Sequence, residues 1–514
     1  MGFRNHRIIS AFNGRLAFAV SVLMLSQINF GMDINAFSTT QAMTAFEEKF
    51  GVWNEERQRS IIEPYFLSLL NSLTYAGQVV GVITGGYIGR RWGRRMSFFV
   101  MCFWAVISAI LLVTAQHKEQ MLVGRILNYI YIGQELATVP VMQSEIVPAN
   151  VRGFVVGTYQ LGTMFGSFLM SLITYGTSRM SSEASFRIPL GLFFVIPVVV
   201  FAGVWFIPES PRWLLVHNRP EEAMVSLRKY RQGRFTEEEI VEEYQTQVAF
   251  VRMNHEKGTF QEMWQGTNLK RSLIVIGANI SIQISGQSFS SKYGAVFLKD
   301  IGAIDPFAMY CISTGLSILV VMFSMYFLDK MGRRPPLIAG SVLQSGSMLA
   351  MGGLGTNSTL TDSQAVGITA LLTIFYGGFC LGWAPIYHIL TAEIPNSRMR
   401  DMTYTVASVV TVVTQFAVAF TIPYLYYEPY AALGPKIGLI FGSLAVCTLV
   451  FAIFCIPECR KLSLEEVDHL FMNKTPILKF GKHKHGQILP PEVLEITSEK
   501  LEDGPNVEQK EVVA

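Results

Sequence analysis

Two charged residues lie in apolar stretches that are long enough to cross a membrane. Asp33 stands in the first such stretch, and Arg125 stands near the start of the stretch from Gly124 to Gly153. A bare charge at the centre of a membrane helix costs about 2.5–3.5 kcal/mol on insertion scales, so a charge in such a helix faces a protein interior or lies near an end. A carboxylate beside a movable Arg alternates between a paired, ionised form and an unpaired, protonated form. Asp33 and Arg125 are therefore predicted to couple a proton to a conformational change; the alternative is that Asp33 caps a helix or lines an outer vestibule.

Three glutamines are candidates for binding vicinal hydroxyl groups. Gln160 lies about two turns into one apolar run, and Gln283 and Gln287 lie one turn apart on one face of another. The step Ser285–Gly286 can interrupt that second run, and interrupted helices form the binding sites of many transporters. A glutamine in a membrane helix also hydrogen-bonds neighbouring helices, and this alternative stays open.

Aromatic and basic side chains could complete such a site. Trp383 and Tyr387 are candidate wall residues, although aromatic residues at helical spacing also serve plain packing. His388 could bond a hydroxyl group, pair with an anionic solute, or pack against a helix. Lys292 is expected to extend outward to the membrane surface, with an acidic solute as an alternative partner.

The composition excludes most soluble classes. The chain has 514 residues, of which 50% are hydrophobic and only 15% charged, and its mean hydropathy is +0.35. A soluble globular protein has about 25% charged residues, so these values predict a polytopic membrane protein. The net charge of +3 is small and its basic residues lie in short inter-helix segments, which gives no indication of nucleic-acid binding. The six cysteines form no CxxC pair, and no GxxxxGK[ST] loop is present, so neither a metal site nor a cofactor nor ATP-driven chemistry is predicted.

Twelve apolar runs have the length of about 20 residues that a membrane helix needs. They start near Leu16, Phe66, Ser97, Met121, Phe154, Ile188, Ser272, Pro306, Leu337, Ala365, Met402 and Ile437. A polar stretch separates the sixth from the seventh. The predicted organisation is an N-terminal segment (1–15), a six-helix half (16–207), a linker (208–271), a second six-helix half (272–456) and a tail (457–514).

The distribution of Lys and Arg predicts the orientation. Basic residues precede the first run and follow the second (Arg90 and Arg91), the eighth (Lys330) and the tenth, all on one side of the serpentine. Because such residues favour the cytoplasm, both termini are expected to be cytoplasmic in a multi-pass protein of the cell membrane. The first run then ends outside at Asp33 and the fourth enters from outside at Arg125, which places the two at similar depth.

Three sequence features recur in the same order in both halves. Gly-Arg-Arg at 93–95 returns at 332–334, Pro-Glu at 208–209 returns at 457–458, and a Glu followed seven residues later by Arg occurs twice. Matched halves are a known transporter architecture. The repeated charges fall at the cytoplasmic ends of the runs and predict a reversible latch there, because exposed ion pairs contribute only about 0–1 kcal/mol each. The latch residues are Arg94, Arg95, Glu145, Arg152, Glu209, Arg212, Arg333, Arg334, Glu393, Arg400 and Glu458.

These motifs together resemble the sugar porter family of the major facilitator superfamily, and in texture its fungal members. The resemblance rests on GRRWGRR, the 124–153 stretch, PESPRWLL, DKMGRR, the Glu393 ending and LSLEEVDHLF, and it extends over about residues 13–471. It implies an all-α membrane fold of twelve helices in two six-helix halves. It also implies alternating access and passage of a sugar or polyol, by facilitated diffusion or by proton symport, and no enzymatic activity.

The resemblance also implies roles for single residues. The position of Asp33 is Asp in several proton symporters and Asn in facilitators, and Gln160 and Gln283 match sugar-binding glutamines. Tyr293 matches the second of two tyrosines in span seven, whereas Lys292 replaces the first. Other departures are Ile282, Ser288, His388 in place of a Trp, and Thr411 and Val412 in place of Asn and Trp. These departures leave the fold prediction intact but do not support a specific prediction of glucose.

The function that these features favour is import of a sugar (hexose, pentose or disaccharide) with protons by a monomer in the lipid bilayer. Three alternatives stay open. They are an uncoupled sugar facilitator, a membrane sugar sensor, and a permease for a specialised sugar-like metabolite.

Overall fold

The structure is a computed structural model that describes residues 12–55, 58–253, 259–302, 304–357, 360–396, 399–460, 462 and 464–482. Within helices, the side chains of residues 149–150, 152–154, 156–157, 249–253, 328–329, 392, 401, 464–465 and 482 lie outside this description. The first eleven residues of the predicted N-terminal segment and residues 483–514 of the predicted tail also lie outside it.

Twelve helical spans account for most of the described chain, six in each half. The first six are span 1 (Gly14–Thr40), span 2 (Pro64–Ser72 and Thr74–Arg91), span 3 (Arg94–Val113), span 4 (Lys118–Ile146), span 5 (Ala149–Thr177) and span 6 (Ala184–Gly191, the 3-10 turn Leu192–Phe194, and Val195–Val204). The second six are span 7 (Gly266–Ile284, the π-helix Phe289–Tyr293, and Gly294–Ile301), span 8 (Pro306–Met331), span 9 (Arg334–Leu354), span 10 (Asp362–Leu381 and Trp383–Glu393), span 11 (Arg400–Tyr426) and span 12 (Ile437–Cys455). Each span begins within six residues of its predicted start, and the described part of the chain is an all-α membrane protein with twelve helical spans.

Nine of the described helices have both the length and the apolar composition of a membrane crossing. Spans 4, 5 and 7 are not among them. Spans 4 and 7 carry a row of buried polar residues each, including Arg125, Asn128 and Glu135 in span 4 and Asn279 and Gln283 in span 7. Polar side chains inside a membrane protein often mark functional helices, so these two spans are candidates for carrying a functional site.

Smaller elements distinguish the two ends of the bundle. Between spans 1 and 2, the helix Thr44–Phe50 is followed by an antiparallel pair of short strands, Val52–Asn54 and Arg59–Ile61; we name this side the hairpin end. Between spans 6 and 7 lie the helices Pro211–Val216, Pro220–Arg231 and Glu237–Met253, and a further helix, Leu464–Met472, follows span 12; we name this side the linker end. Short 3-10 turns lie at Glu262–Trp264, Gly434–Lys436 and Ile477–Lys482.

Local sequence signals explain where several spans begin and break. Asn13 accepts a hydrogen bond from the Leu16 backbone N–H at 2.8 Å and so caps span 1. Thr361 and Gln364 form a reciprocal capping box at the start of span 10. Gly286, with φ +97°, interrupts span 7 after Ile284, because this left-handed conformation favours glycine.

Glycines let spans 2 and 4 approach each other closely. A Cβ atom added to Gly81 would lie 2.2 Å from the Ile130 carbonyl oxygen, and one added to Gly133 would lie 2.2 Å from that of Gln78. Real side chains do not fit at such distances, so the backbones of the two spans touch directly. Small residues at helix interfaces are the usual solution in membranes, where lipid is as apolar as a leucine side chain and provides no hydrophobic drive for helix association.

Candidate functional site

Asp33 and Arg125 lie together in the interior of the first half. Their nearest charged atoms, Asp33 Oδ1 and Arg125 Nη1, are 3.8 Å apart, and the side chains are only 1% and 3% exposed. Asn128, one turn beyond Arg125 in span 4, donates a hydrogen bond to the same Oδ1 at 2.7 Å. The second carboxylate oxygen and two guanidinium nitrogens have no hydrogen-bond partner. This loose, incompletely satisfied pair differs from a tight structural salt bridge and leaves an atom free to accept a proton.

Aromatic rings hold the Arg125 guanidinium in place. It lies over the Phe37 ring at 3.7 Å from the centroid and over the Tyr129 ring at 5.0 Å. Such contacts stabilise a desolvated cation by about 2 kcal/mol or more. Arg125 therefore keeps a favourable position when its contact with Asp33 is broken.

Lys292 lies in the interior, and the expectation that it extends outward is wrong. Its Nζ atom crosses from span 7 to the first half, where it donates to the Asn71 carbonyl oxygen and to the Tyr129 hydroxyl, both at 3.0 Å. It also lies 4.2 Å from the centroid of the Tyr75 ring. Because the two halves meet here, the ammonium group has a carbonyl and a phenol acceptor of the first half within hydrogen-bond distance. It therefore does not need to extend to the membrane surface. Lys292 thus brings a positive charge of the second half next to Arg125 and Asp33.

The two halves are joined at the hairpin end by several further polar contacts. Ser68 of span 2 donates to the Phe420 carbonyl oxygen of span 11 at 2.8 Å. Lys299 pairs with Glu47 at 2.7 Å. Other contacts across the halves here are Arg59 with Asp300, and Ser38 and Gln41 with the Lys292 carbonyl oxygen. The hairpin end is therefore closed in this conformation.

The candidate solute-binding glutamines differ in their burial. Gln160 and Gln287 are half-buried, whereas Gln283 is buried and its Oε1 atom has no hydrogen-bond partner. The break at Gly286 lies between the two span 7 glutamines, so they do not share one uninterrupted helical face. Gln160 and Gln287 have surface for a solute, and Gln283 has an unused acceptor.

His388 is exposed, and the neighbouring Tyr387 is half-buried, although both lie in span 10. The two rings are in contact, with centroids 3.8 Å apart. Tyr387 is also an electrostatic neighbour of Tyr159, which is half-buried on span 5 of the first half. This part of span 10 therefore faces the first half and is accessible to a solute.

The side chains of two other predicted site residues pack inside the protein in this conformation. Trp383 is fully buried, and its indole N–H donates to the Ser341 hydroxyl of span 9 at 2.9 Å. Tyr293 is buried, and its hydroxyl donates to the Ala419 carbonyl oxygen at 2.7 Å. Trp383 is thus part of the core of the second half in this conformation, and its role as a wall residue stays a prediction.

Thr411 belongs to a hydrogen-bond chain that the sequence did not indicate. Its hydroxyl donates to Asn279 Oδ1 at 2.9 Å, and Asn279 Nδ2 donates to the Thr391 hydroxyl at 3.0 Å. The chain ties spans 11, 7 and 10 together. Because Asn279 lies one turn before Gln283 in span 7, this chain supports the candidate solute-binding segment from within the second half.

Glu209 and Glu458 occupy equivalent positions at the linker end. The Glu209 carboxylate accepts hydrogen bonds from the backbone N–H groups of Arg94 and Arg95 at 3.0 and 3.1 Å. Glu458 accepts from those of Arg333 and Arg334 at 3.0 and 2.9 Å. Each carboxylate caps the first turn of span 3 or span 9, where N–H groups lack helical partners and the helix dipole favours negative charge.

A glycine makes room for each of these caps. Gly93 and Gly332 have φ values of +105° and +94°. A Cβ atom at either position would lie within 2.5 Å of a carboxylate oxygen of Glu209 or Glu458. Burial raises the pKa of the Glu209 carboxyl, while the hydrogen bonds from Ser210, Arg95 and Arg94 act in the opposite direction.

Arg94 and Arg333 form ion pairs with other predicted latch residues at the linker end, and each of these two pairs lies within one half. Arg94 makes two hydrogen bonds to Glu145, at 2.7 and 3.1 Å, and Arg333 makes one to Glu393 at 2.8 Å. They join span 3 to span 4 and span 9 to span 10. The latch expected from sequence therefore consists, in this conformation, of two separate sets of contacts inside the halves.

The other predicted latch residues form fewer contacts at the linker end, or their side chains lie outside the described residues. Arg95 donates to the Trp205 carbonyl oxygen at 3.2 Å, and Arg334 donates to that of Ile453. Arg212 is half-buried at the start of its helix, and Arg400 is half-buried with two nitrogen atoms lacking hydrogen-bond partners. The side chain of Arg152 lies outside the described residues.

Replacing Glu209 by alanine is expected to destabilise the first half. Glu209→Ala leaves two backbone N–H groups of span 3 without their acceptor, which costs about 1–3 kcal/mol when such groups are buried. We expect a lower midpoint of thermal unfolding in detergent, and Glu458→Ala to have a similar effect on the second half. Glu222→Ala is the matched control, because Glu222 is 56% exposed and, within the described residues, its ion pair is with nearby Arg219. An unchanged midpoint for Glu209→Ala would contradict the capping role.

Sequence reasoning missed Asn128 and Glu135, both in span 4. Asn128 lies one turn from Arg125 and so shares its face, a signal that was available. Glu135 lies between Arg125 and Glu145 in a stretch already selected for its charges. Its side chain is fully buried and accepts a hydrogen bond from the Tyr159 hydroxyl at 2.8 Å.

Comparison with known proteins decides the family. Residues 18–471 match the family model described as "Sugar (and other) transporter". The chain belongs to this family of transporters. It is 30% identical to the major facilitator-type transporter ecdD of Aspergillus rugulosus, over 87% of this chain and 85% of that protein. It is 27% identical to the high-affinity glucose transporter ght2 of Schizosaccharomyces pombe, over 94% of this chain and 91% of that protein.

The fold of this sugar transporter family member is that of the major facilitator superfamily. The inward open structure of the xylose transporter XylE from E. coli matches it with a TM-score of 0.71, covering 88% of this chain and 99% of XylE. The two sequences are only 19% identical, so this likeness concerns the fold. It confirms the twelve-helix arrangement in two halves that the sequence resemblance implied.

Proposed function

We propose that this protein is a secondary active transporter that imports a sugar together with protons by alternating access. The observation that carries the proposal is the buried pair of Asp33 and Arg125, 3.8 Å apart and incompletely hydrogen-bonded. A carboxylate with a cation about 4–6 Å away favours the ionised form, whereas the same buried carboxylate without its cation favours the protonated form. Small movements of Arg125 therefore load or release a proton.

The contacts between the halves support the coupling of that proton to a conformational change. Lys292 of the second half reaches Tyr129, which also contacts Arg125, in this conformation, in which the hairpin end is closed. Closure thus adds a second positive charge near Asp33 and favours its ionised form. A proton picked up from the hairpin end is then released after closure, toward the linker end.

The orientation and the assembly follow from the same proposal. We place the linker end and both termini in the cytoplasm and the hairpin end outside, in the cell membrane, because the short basic segments lie at the linker end. With the hairpin end closed, the described conformation corresponds to the inward-facing state. The site lies between two halves of one chain, so we propose that the monomer is the functional unit.

We propose that the solute is a hexose, pentose or disaccharide bound between the halves. Gln160 and Gln287 have accessible amides that can donate and accept hydrogen bonds, as a polyhydroxylated ring requires. The exposed His388 favours a second candidate, a permease for a specialised sugar-like metabolite. Its imidazole adds a polar group beside Tyr387 where an indole would offer an apolar face, so a solute with an additional polar or acidic substituent fits this position.

Uptake of labelled solutes tests the proposed function. Transporter-deficient cells that express this protein are given hexoses, pentoses, disaccharides, polyols and uronic acids, with and without a protonophore. We expect accumulation of one sugar class above the equilibrium level and its loss with the protonophore. Selective uptake of uronic acids would favour the second candidate.

Two results would contradict the proposal in different ways. Uptake that only reaches the equilibrium level and ignores the protonophore would make the protein a facilitator. Binding of a sugar by the purified protein without any uptake would make it a sensor. Cells expressing a protein with the same tag but lacking transport activity provide the background.

A further inference from the structure

Glu135 is a buried carboxylate without a cationic partner. Its side chain has no exposed surface, and it forms no ion pair with any residue in the described part of the chain. One oxygen accepts the 2.8 Å hydrogen bond from the Tyr159 hydroxyl, and the other oxygen has no partner. The Asp33 carboxylate, by contrast, has Arg125 beside it. An isolated carboxylate in a low-dielectric interior is strongly disfavoured in its charged form, so this geometry is that of a group that binds a proton.

The groups around Glu135 are polar but uncharged. Tyr131, one turn away in span 4, accepts a hydrogen bond from Asn29 of span 1 at 2.9 Å. Span 5 contributes Tyr159, and span 3 contributes the Cys102 thiol, an electrostatic neighbour of Tyr131. Span 2 faces span 4 with its glycines, including Gly81.

Span 1 carries further buried polar atoms that are unsatisfied. The Ser26 hydroxyl, the side-chain amide of Gln27 and the side-chain Oδ1 atom of Asn29 are buried and have no hydrogen-bond partners. Buried polar groups normally have partners, often ordered water. These atoms lie on the same span as Asp33, and Asn29 also donates to Tyr131, one turn from Glu135, so polar side chains extend from span 1 toward the surroundings of Glu135.

Tyr159 connects Glu135 to the region between the halves. Its hydroxyl is bonded to Glu135, and its phenol is an electrostatic neighbour of Tyr387 in span 10. Gln160 is the next residue of span 5. A charged Glu135 needs the Tyr159 hydroxyl as its donor, whereas a protonated Glu135 can do without it. The protonation of Glu135 therefore changes the hydrogen bonding of the hydroxyl of Tyr159, the residue that precedes Gln160 of the candidate sugar site.

We propose that Glu135 is a second proton-binding group of the transport cycle and that Tyr159 is the positioning residue that links it to the solute. This inference rests on the proposed function, since it adds a second proton to the one assigned to Asp33. It implies a ratio of two protons for each solute. The oxygen without a partner is the atom that takes the proton.

The stoichiometry of purified protein in proteoliposomes provides the test. We expect two protons per solute for the wild type and one for Glu135→Gln, measured from the solute gradient that balances a fixed proton gradient. At a fixed proton gradient the limiting accumulation ratio should fall to about its square root, because the driving force per solute is halved. The amide oxygen introduced by Glu135→Gln keeps an acceptor for the Tyr159 hydroxyl, so the fold is expected to be retained.

A spectroscopic measurement makes the test independent of transport. Infrared difference spectra on acidification should show, besides the band of Asp33, the carbonyl stretch of a second buried carboxylic acid. This second component should persist in Asp33→Asn and be lost in Glu135→Gln. Tyr159→Phe should shift the pH at which this band appears and the pH profile of uptake. If Tyr159 had a purely structural role, Tyr159→Phe would lower the yield of folded protein but would shift neither the pH at which the band appears nor the pH profile of uptake.

Three outcomes would overturn the inference. A wild-type ratio of one, unchanged in Glu135→Gln, would leave the proposed symport intact and remove Glu135 from it. An unchanged infrared band in Glu135→Gln would show that Glu135 does not bind the proton. Uptake without any proton movement would overturn the proposed function and this inference together, with the protonophore experiment identifying that case.

Discussion

Asp33→Asn is expected to remove the part of the accumulation that the proton on Asp33 drives, while leaving exchange of solute across the membrane. The amide cannot carry a proton, but it can keep the hydrogen bond from Asn128 that now lies at 2.7 Å. A single proton moving down 100 mV supports roughly fifty-fold accumulation of a neutral solute, so that factor or more should be lost. The measurement is uptake of the solute identified in the panel, with and without a protonophore. Exchange is measured in preloaded proteoliposomes.

Asp362→Asn is a suitable control for this variant. Asp362 is an exposed carboxylate in the first turn of span 10, at the hairpin end and away from Arg125. It should accumulate the solute as the wild type does. If Asp33→Asn accumulated solute in a protonophore-sensitive way to the same level as the wild type, the assignment of Asp33 as a coupling residue would be wrong.

Gly81→Val is expected to prevent folding of the first half. The added Cβ atom would meet the Ile130 carbonyl oxygen at 2.2 Å, and this oxygen belongs to the backbone of span 4 and cannot rotate away. Ordinary overpacking costs about 1–3 kcal/mol, and a clash between two backbones should exceed that range. We expect little or no monodisperse protein by size-exclusion chromatography in detergent.

Gly86→Val is the matched control on the same helix. A Cβ atom at Gly86 would have no neighbour within 4 Å, and valine has similar membrane compatibility at both positions. This variant should yield folded protein at the wild-type level. Equal yields for the two variants would show that spans 2 and 4 can separate without loss of structure.

The sequence was sufficient to predict the fold because the repeated motifs have a local physical basis. Gly93 and Gly332 precede arginines whose backbone N–H groups need a carboxylate, and Glu209 and Glu458 supply it. This relation between a glycine, the arginines that follow it and a distant glutamate recurs in both halves, so it is recognisable in the sequence as a repeated motif. The starts of the spans were predictable for a related reason, since apolar length depends on composition and not on tertiary contacts.

The contacts of the site depend on helix rotation and on the conformational state, which a sequence does not contain. Lys292 reaches Tyr129 because the halves are joined at the hairpin end, and no local signal distinguishes this from extension to the membrane surface. Trp383 and Tyr387 are one turn apart in span 10, yet Trp383 packs in the core and Tyr387 is half-buried. The sequence indicates both as aromatic wall residues, and only the rotation of the helix separates them.

Glu135 shows a different limit. The sequence shows the charge itself. Its functional significance depends on its surroundings, which contain one tyrosine hydroxyl and no cation among the described residues. The partners of a buried charge come from other spans, so their identity emerges only when the helices are packed.

The arrangement of the linker end has a consequence for biosynthesis. The Glu209 cap of span 3 lies beyond span 6 in the chain, and Arg231, further along, donates to the Ile146 carbonyl oxygen at the end of span 4 at 2.9 Å. Helices inserted early therefore stay incomplete until the ribosome has made this later segment. We expect a nascent chain ending at Val204 to be retained by chaperones or degraded, and one extended past Glu243, the partner of Arg231, to hold its six helices together before the second half is translated.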